Sequence, residues 1–285
     1  MRLMTITDSN VKILYDLSDA SWQPDERAIC NIIFSECHIV KTVFDTAKQR
    51  FVSLYAISVE NENTENYTVI GENILNDASG IRQNCFVSVL KTLLVPNALF
   101  DERNIKSLFE NQHHLEPGED LLTCSLKMIE ARMIFACAEP YINFQKRTSS
   151  SLFPVDAAWL DNLYVKHKTQ EGIHLHCNIS DGFIGIAVFK DGALRFYNTF
   201  ETANAEEILY FVMFVSEQIG INPQKDQYHY SGYMYKGDPV QTLLSKYIKF
   251  LDPEERPLSY NYSMPVLDAQ GSVFYNAFCT PICVS

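Results

Sequence analysis

Alternation of apolar and polar side chains marks the clearest stretch of the chain, residues 173–199. Its first part alternates apolar residues with polar ones such as His174 and His176, which predicts a strand with one buried face. An almost wholly apolar run over residues 183–189 follows, and the hairpin signal Asp191-Gly192 precedes a third predicted strand over residues 193–199. The stretch therefore predicts a three-stranded antiparallel meander.

A helix follows this meander. Asn204 is placed to cap its N-terminus, Glu207 three residues later completes a capping box, and Gly220 ends it. After a loop, residues 227–230 predict a short strand that ends at Ser231-Gly232. The order of elements is therefore three strands, a helix and a fourth strand.

The same order begins earlier in the chain, with strands predicted over residues 28–34, 38–44 and 50–57. A polar run over residues 148–151 is the best boundary between the two copies. We therefore expect two similar lobes, residues 1–150 and 151–285, with no short-period repeat.

The remaining pattern gives further helices and strands. Predicted strands cover residues 86–95, 121–127, 131–137, 258–264 and 273–278, predicted helices cover 67–76, 139–147, 157–164 and 240–250, and a short helix is expected within 97–112. This mixture predicts an α/β (α+β) protein.

Composition limits the classes of partner. The chain has 285 residues, 47% of them hydrophobic, and a formal net charge of -12, so a broad field that attracts nucleic acid is not expected. The eight cysteines lie mostly in apolar runs and are expected to be reduced core residues. No apolar stretch reaches the roughly 18 residues of a membrane helix and no signal peptide is evident, so we expect a cytoplasmic protein.

Short motifs of known chemistry are missing. The sequence contains no GxSxG, HExxH, GxxxxGK[ST] or GxGxxG. His174 and His176 share a strand face and could form a metal pair if a carboxylate joined them, but two solvated or edge-packed histidines are favoured. No metal site is predicted.

The segment HCNISDGFIGIAVFKDGALRFYNTF and the helix after it resemble the second phosphate-loop hairpin of the actin-like ATPase superfamily, which includes hexokinases, heat-shock chaperones and actin. The pilus-assembly and cell-division members are the most similar. More narrowly, the chain resembles a family of Bacteroidetes proteins of unknown function. That resemblance is carried by Asn198-Thr199-Phe200, Val95-Pro96 with Leu99-Phe100, and Tyr230-Ser231-Gly232.

The resemblance implies a bacterial protein with two ribonuclease H-like lobes. Each lobe would open with a three-stranded antiparallel meander and continue into helix-strand alternation. In active members the first strand of each lobe ends in Asp-x-Gly, where the acid handles magnesium and the glycine admits phosphate.

In this chain the implied acid position of the second lobe holds Asn178, and the implied glycine position holds Ser180. In the first lobe the corresponding residues are Phe34 and Glu36. A shift by one residue would bring Asp181-Gly182 to the phosphate, but it would also move the neighbouring side chains to opposite sheet faces. Efficient phosphoryl transfer is therefore not expected.

The adenosine-binding Gly-Gly of the superfamily corresponds to Gly232 followed by Tyr233, whose ring would project where adenine normally binds. The nucleotide-contacting positions implied by the resemblance are Asn178, Ser180, Asp181, Gly182, Ser231, Gly232 and Tyr233. No catalytic residue and no firm cofactor are predicted, and Mg-ATP is the only cofactor that the resemblance raises.

The sequence thus favours a non-catalytic actin-like scaffold or protein-binding protein with a degenerate nucleotide site. By analogy with the pilus-assembly and division members, its partner would be another protein or a second copy. The alternative is an active ATPase or small-molecule kinase that uses atypical residues, with Asp181 or Asp45 as the acid.

Overall fold

A computed structural model describes residues 11–60, 64–75, 80–234 and 237–283. The chain forms two compact units, each assembled from separate segments. The first comprises Met1–Val87, Glu139–Leu152 and Ser259–Ala269, and the second comprises Ser88–Ala138, Phe153–Leu258 and Gln270–Ser285. The chain passes between the units close to the expected boundary at residue 150 and also at other points, so the two contiguous lobes stay a prediction.

The strands are β1 (Val11–Ser18), β2 (Ala28–Phe34), β3 (His38–Asp45), β4 (Arg50–Val59), β5 (Arg82–Val87), β6 (Thr92–Pro96), β7 (Glu119–Ser125), β8 (Ala131–Ala138), β9 (Ser151–Pro154), β10 (Ile173–Ser180), β11 (Phe183–Lys190), β12 (Ala193–Glu201), β13 (Gln227–Gly232), β14 (Leu251–Pro253) and β15 (Asn261–Tyr262). The α-helices are α1 (Thr64–Leu75), α2 (Ile105–Glu110), α3 (Glu139–Thr148), α4 (Val155–His167), α5 (Ala205–Ile219), α6 (Pro239–Leu244) and α7 (Tyr275–Cys279).

These strands form three sheets within the described residues. One sheet has the order β1-β4-β3-β2-β5-β9, with β15 paired to β4, and another has the order β12-β11-β10-β13-β14. A small sheet has the order β6-β8-β7. In both large sheets an antiparallel meander is followed by a parallel strand beside its first member. The predicted α/β class and the repeated meander are confirmed.

The apolar row of β10 packs under helix α5. Leu175, Cys177 and Ile179 belong to one buried cluster with the inward residues of α5, such as Val212 and Val215. The helix begins as the capping box predicts, because the Asn204 side chain accepts a hydrogen bond from the Glu207 backbone N–H at 2.9 Å. The Glu207 carboxylate accepts from Ala203 N.

The polar row of β10 is buried too, and here the prediction of one buried face is wrong. His176 and Asn178 are 0% and 2% exposed. Helix α4 carries buried polar residues at positions that meet this row: its His167 ring packs on the His176 ring, and its Asp156 is bonded to Asn178. A polar row therefore lies inside the second unit.

Two other predictions of regular structure are wrong. The apolar run 86–95 is not one strand but β5 and β6, because the chain leaves the first unit at Val87 and enters the second at Ser88. Near the C-terminus, residues 273–278 were expected as a strand and instead lead into α7, whose residues are buried. Short apolar runs do not distinguish a buried strand from a buried helix.

The predicted strand over 258–264 is reduced to the two residues of β15, and the predicted helix over 240–250 ends at Leu244. Helix α6 begins where Asp238 caps it and Pro239 occupies its first turn. The other predicted elements are present, with ends that differ by a few residues.

Gly232 is the last residue of β13 and lies opposite Ile179 of the parallel strand β10. Its φ is 87°, and a Cβ built there would lie 2.0 Å from the carbonyl oxygen of Ile179 on β10. The two parallel strands thus approach more closely than any side chain at this position allows.

We expect Gly232→Ala to lower the free energy of unfolding by at least about 3 kcal/mol, from the positive φ and the overlap with Ile179 together. Gly237→Ala is the matched control, because Gly237 has a φ of 86° and open space around its Cβ position. The control should cost only about 1 to 2 kcal/mol. Urea unfolding measures both, and equal losses would show that the contact with Ile179 does not matter.

Candidate functional site

Asn178 is the centre of a buried polar network in the second unit. Its Oδ1 accepts hydrogen bonds from Asn276 Nδ2 at 2.9 Å and from Ser231 Oγ at 3.4 Å. Its Nδ2 donates to Asp156 Oδ1 at 3.4 Å. Both ends of the amide are therefore bonded to protein groups.

Asp156 is the acidic member of this network and was missed by sequence reasoning. It lies in the first turn of α4 and is 2% exposed. Burial raises the pKa of its carboxyl to about 6, while hydrogen bonds from Asn178 and Tyr197 act in the opposite direction. A carboxyl with a pKa near neutrality is suited to proton transfer. In the sequence, Asp156 is distinguished only by its place two residues after Pro154, at the start of a helix.

Tyr197 on β12 extends the network to the small sheet. Its hydroxyl group bonds to Asp156 and lies 2.8 Å from Thr92 Oγ1 on β6. Strand β12 of the meander and strand β6 of the small sheet are thus joined by polar contacts next to the Asp156 carboxyl.

The turn after β10 holds three of the predicted positions. Ser180 Oγ lies 3.2 Å from Ser88 Oγ. Asp181 is half-buried and Gly182, with a φ of 78°, is exposed. Asn178 is buried, whereas the turn at residues 180–182 is partly exposed. The predicted nucleotide-contacting residues of β10 and of this turn therefore lie in different environments.

Ser231, Gly232 and Tyr233 lie at the end of β13. Ser231 is opposite Asn178 in the parallel ladder and is fully buried. The backbone N–H of Gly232 donates to Ser272 O and that of Tyr233 donates to Ile179 O, both at 2.9 Å. Tyr233 itself is half-buried.

In the first unit the residues considered for an acid role are structural. Phe34 is 1% exposed, and its ring packs edge-on against Phe144 with a centroid separation of 5.0 Å. Asp45 accepts hydrogen bonds from Trp22 Nε1 and from the backbone N–H of Lys48. Asp45 therefore fixes the turn between β3 and β4.

A cleft of about 700 Å³ opens in the second unit near the ends of β13 and β14. Its lining includes Tyr230, Glu255, Arg256, Gln270 and Ser272. Carboxyl ends of parallel strands are where α/β sheets most often bind ligands. The cleft is separate from the Asn178 amide, which does not line it.

The histidines of β10 are not solvated as sequence reasoning favoured. His176 is fully buried and hydrogen-bonded to Glu254, with 2.5 Å between Nδ1 and Oε1. His174 is half-buried. The carboxylate that would make them a metal pair is thus present beside His176. Even so, no group of three or more His, Cys, Asp or Glu side chains within the described ranges is arranged to hold a metal ion.

All eight cysteines are free, and every one except Cys37 is buried. Burial raises the pKa of the Cys30, Cys124 and Cys177 thiols to about 12. The prediction that the cysteines are core residues is therefore confirmed except at the exposed Cys37, and their reduced state stays a prediction. In the part of the chain that the structure describes, no helix is long and apolar enough to cross a membrane.

The meander, the parallel fourth strand and their repetition in two sheets define an actin-like ATPase fold, and solved structures have the same architecture. A Bacteroides thetaiotaomicron protein with an actin-like ATPase fold and unknown function superposes with a TM-score of 0.72 at 16% identity, covering 89% of this chain and 96% of that one. None of the curated proteins compared matches the chain.

The model of the family described as "Protein of unknown function (DUF3822)" matches residues 28–251, and the chain belongs to this family. Two further solved structures are similar at 9% identity. The PilM-PilN type IV pilus biogenesis complex gives a TM-score of 0.61 over 92% of this chain and 98% of that one. The ethanolamine utilization protein EutJ from Carboxydothermus hydrogenoformans gives 0.50 over 94% and 92%. The expected family and fold are confirmed.

We expect Asp156→Asn to remove one pH dependence of stability. The pKa of Asp156 is about 6 in the folded protein and 3.8 in the reference state, so its stabilisation of the fold is complete below about 3.8 and is lost as the pH rises through about 6. The variant should gain about 2 kcal/mol relative to wild type between about pH 4 and pH 7. Urea unfolding at several pH values measures the difference, and a constant difference would contradict the raised pKa.

Proposed function

We propose that this protein is an actin-like scaffold that acts through protein contacts and has a degenerate nucleotide site. The observation that carries the proposal is the state of Asn178. The position that the resemblance assigns to the metal-handling acid holds a neutral amide, and protein groups occupy both ends of that amide.

The residues at the implied site do not fit Mg-ATP. An amide oxygen that accepts two protein hydrogen bonds and is 2% exposed is a poor ligand for Mg²⁺, which favours carboxylates and retains its waters. The nearby Asp156 is also buried, and its pKa of about 6 leaves it only partly ionised near neutral pH. Neither group offers the exposed negative charge that a hydrated magnesium ion needs.

The backbone at Gly232 and Tyr233, where the resemblance implies adenosine binding, also does not fit a nucleotide. Phosphate and ribose sites rely on backbone N–H groups that are open to the ligand. Here the N–H groups of Gly232 and Tyr233 are bonded to carbonyl oxygens of the chain. A nucleotide would have to break those bonds before it gained any contact there.

A protein partner is supported by an exposed aromatic pair on α5. Tyr210 and Phe214 are 60% and 43% exposed, and their rings stack with centroids 6.0 Å apart. Aromatic side chains are enriched at protein interfaces. The structural similarity to PilM in its complex with PilN supports the same role by analogy. The partner would be another protein or a second copy of this chain, in a reducing compartment such as the bacterial cytoplasm.

A second candidate function is enzymatic, and one observation favours it. The buried Asp156 has a pKa that suits a general acid or base. An active ATPase or small-molecule kinase with atypical residues would then use Asp156, or Asp181 in the adjacent turn, as its acid.

Heating the purified protein with and without millimolar Mg-ATP tests the proposal. A nucleotide at about 100 times its Kd would stabilise the fold by about 2.7 kcal/mol, which raises the Tm by several degrees. We expect a shift below about 1 °C, because Asn178 and the backbone of Gly232 are already bonded within the protein. Phosphate release, followed in the same samples, should equal that of the buffer blank.

Asp156→Asn and Asp181→Ala distinguish the two candidates. If wild type releases phosphate and either variant abolishes that release, the enzymatic function is correct and the scaffold proposal fails. An actin-fold protein of known ATP affinity, heated in parallel, shows that the assay detects binding.

A further inference from the structure

Four of the seven histidines of the chain pack together in the second unit. His167 is the last residue of α4, His174 and His176 lie on β10, and His229 lies on β13. We call these four residues the histidine cluster. The His167 ring centroid lies 4.4 Å from that of His174 and 4.7 Å from that of His176, and His176 stacks on His229 at 4.7 Å.

The ring nitrogens of the cluster are poorly satisfied. Five ring nitrogens are buried and have no hydrogen-bond partner among the described residues: His167 Nδ1 and Nε2, His174 Nδ1, His176 Nε2 and His229 Nε2. Buried polar groups are normally hydrogen-bonded, because a buried polar atom without a partner is destabilising. The cluster is therefore held together by ring packing more than by hydrogen bonds between protein groups.

Charged groups of both signs face the cluster. Glu254, just after β14, is 2% exposed. Its Oε1 bonds to His176 Nδ1 at 2.5 Å, and its Oε2 pairs with Lys166 Nζ at 2.7 Å. Asp226, before β13, acts on His174 from a greater distance, and the Glu171 backbone carbonyl lies 3.4 Å from His174 Nε2. The Cys279 thiol on α7 is close enough to interact with Glu254 and Lys166.

We propose that the histidine cluster is an acid-sensitive device, in which proton uptake by the packed rings opens the region where α4, β10, β13 and β14 meet. A metal site is the competing role for four such rings. It is disfavoured because no three metal-binding side chains in the described residues are arranged around one point. Stacking of His176 on His229, with 11° between the ring planes, also differs from rings that converge on an ion.

Repulsion between charged rings provides the driving force. Two like charges at the separation of the stacked His176 and His229 rings, 4.7 Å, repel each other far more strongly in a buried region than in water. Glu254 is already neutralised by Lys166, so it can balance at most part of the added charge. Several protonated rings therefore cannot remain packed. When the region opens, water screens the repulsion between the rings and forms hydrogen bonds with their nitrogens.

Burial sets the direction of the response. It lowers the pKa of His167 and of His229 from 6.5 to about 3, with neighbouring rings adding to the effect. It also lowers the pKa of His174 and His176. A lowered pKa in the folded state means that stability is complete above about 6.5 and is lost as the pH falls toward about 3. Opening should therefore begin in mildly acidic solution.

The weakest element at this place is β14. It has three residues, lies at the edge of its sheet and pairs only with β13 in the described ladder. The register places Asp252 of β14 opposite His229. Glu254 is the first residue after this strand. When the rings take up protons, we expect the short edge strand Leu251–Pro253 to separate first, because it has the fewest backbone hydrogen bonds to break.

Hydrogen exchange as a function of pH tests the proposal in the full-length protein. Each ring that is protonated only in the open form multiplies the opening constant by about ten per pH unit. After correction for intrinsic exchange, we expect the opening constant for β13 and β14 amides to rise at least about 100-fold from pH 6 to pH 5. Amides of the β2-β3-β4 meander in the first unit should change much less.

His229→Gln should reduce that rise about ten-fold, because it removes one proton-binding ring while keeping a polar side chain. His174→Gln is a second variant at a half-buried position, in case the first does not fold. His114→Gln is the matched control, since His114 is exposed in a loop away from the cluster, and it should behave as wild type.

The wild-type protein gives an independent check by NMR. The ring Hε1 signals of the four clustered histidines should keep neutral-form shifts until opening begins. Unchanged protection of β13 and β14 down to about pH 5 would overturn the proposal. So would a rise in Tm on adding Zn²⁺ that is lost in His229→Gln, because the rings would then be metal ligands.

Discussion

Burial of helix α4 is the constraint on which the second unit depends. The helix has almost no exposed side, yet it carries polar residues that must be satisfied in the interior. Asp161 accepts from the backbone N–H groups of Lys127 and Met128 in the turn between β7 and β8. Asn162 Nδ2 donates to the carbonyl of Cys279 at the end of α7. Because each contact ties a separate chain segment to one helix, α4 determines how those segments pack.

The same helix also determines the chemistry of the polar row on β10. Its N-terminal turn supplies Asp156 to Asn178, and its last residue supplies His167 to the histidine cluster. The two polar regions therefore lie at opposite ends of one interface between a helix and a strand. In the first large sheet the central parallel strands are bridged by neutral amides as well, since Asn84 Nδ2 donates to Asn31 Oδ1 at 2.9 Å. Neutral side chains thus join the central strands of both sheets.

Local signals were enough to predict most of the regular elements. The meanders were evident from alternation and from Asp191-Gly192, and the start of α5 was evident from Asn204 and Glu207, because strand period, turn type and capping act over a few residues. Together with the family resemblance, they gave the architecture. They did not predict that the chain passes from the first unit to the second after Val87. An apolar run has the same pattern whichever sheet it belongs to.

The interior of the site was harder to predict. His176 and Asn178 looked like an exposed row because nothing in a single strand shows that a helix with matching polar residues will cover it. Asp156 carries no motif, and its raised pKa results from burial that only tertiary packing creates. Glu254 comes to His176 from a distant part of the chain. Such long-range pairs leave no periodic signal, so the site required the structure.

The discontinuous composition of the two units has a consequence for biosynthesis. The first unit is completed by Ser259–Ala269 and the second by the segment that starts at Gln270. Neither unit can reach its final packing until the segments that start at Ser259 and at Gln270 have left the ribosome. The two units are therefore completed almost together, and until then the nascent chain exposes strands such as β4 that still lack their last neighbour, β15. Protection by a general chaperone during synthesis would be of particular use to a chain with this order of segments.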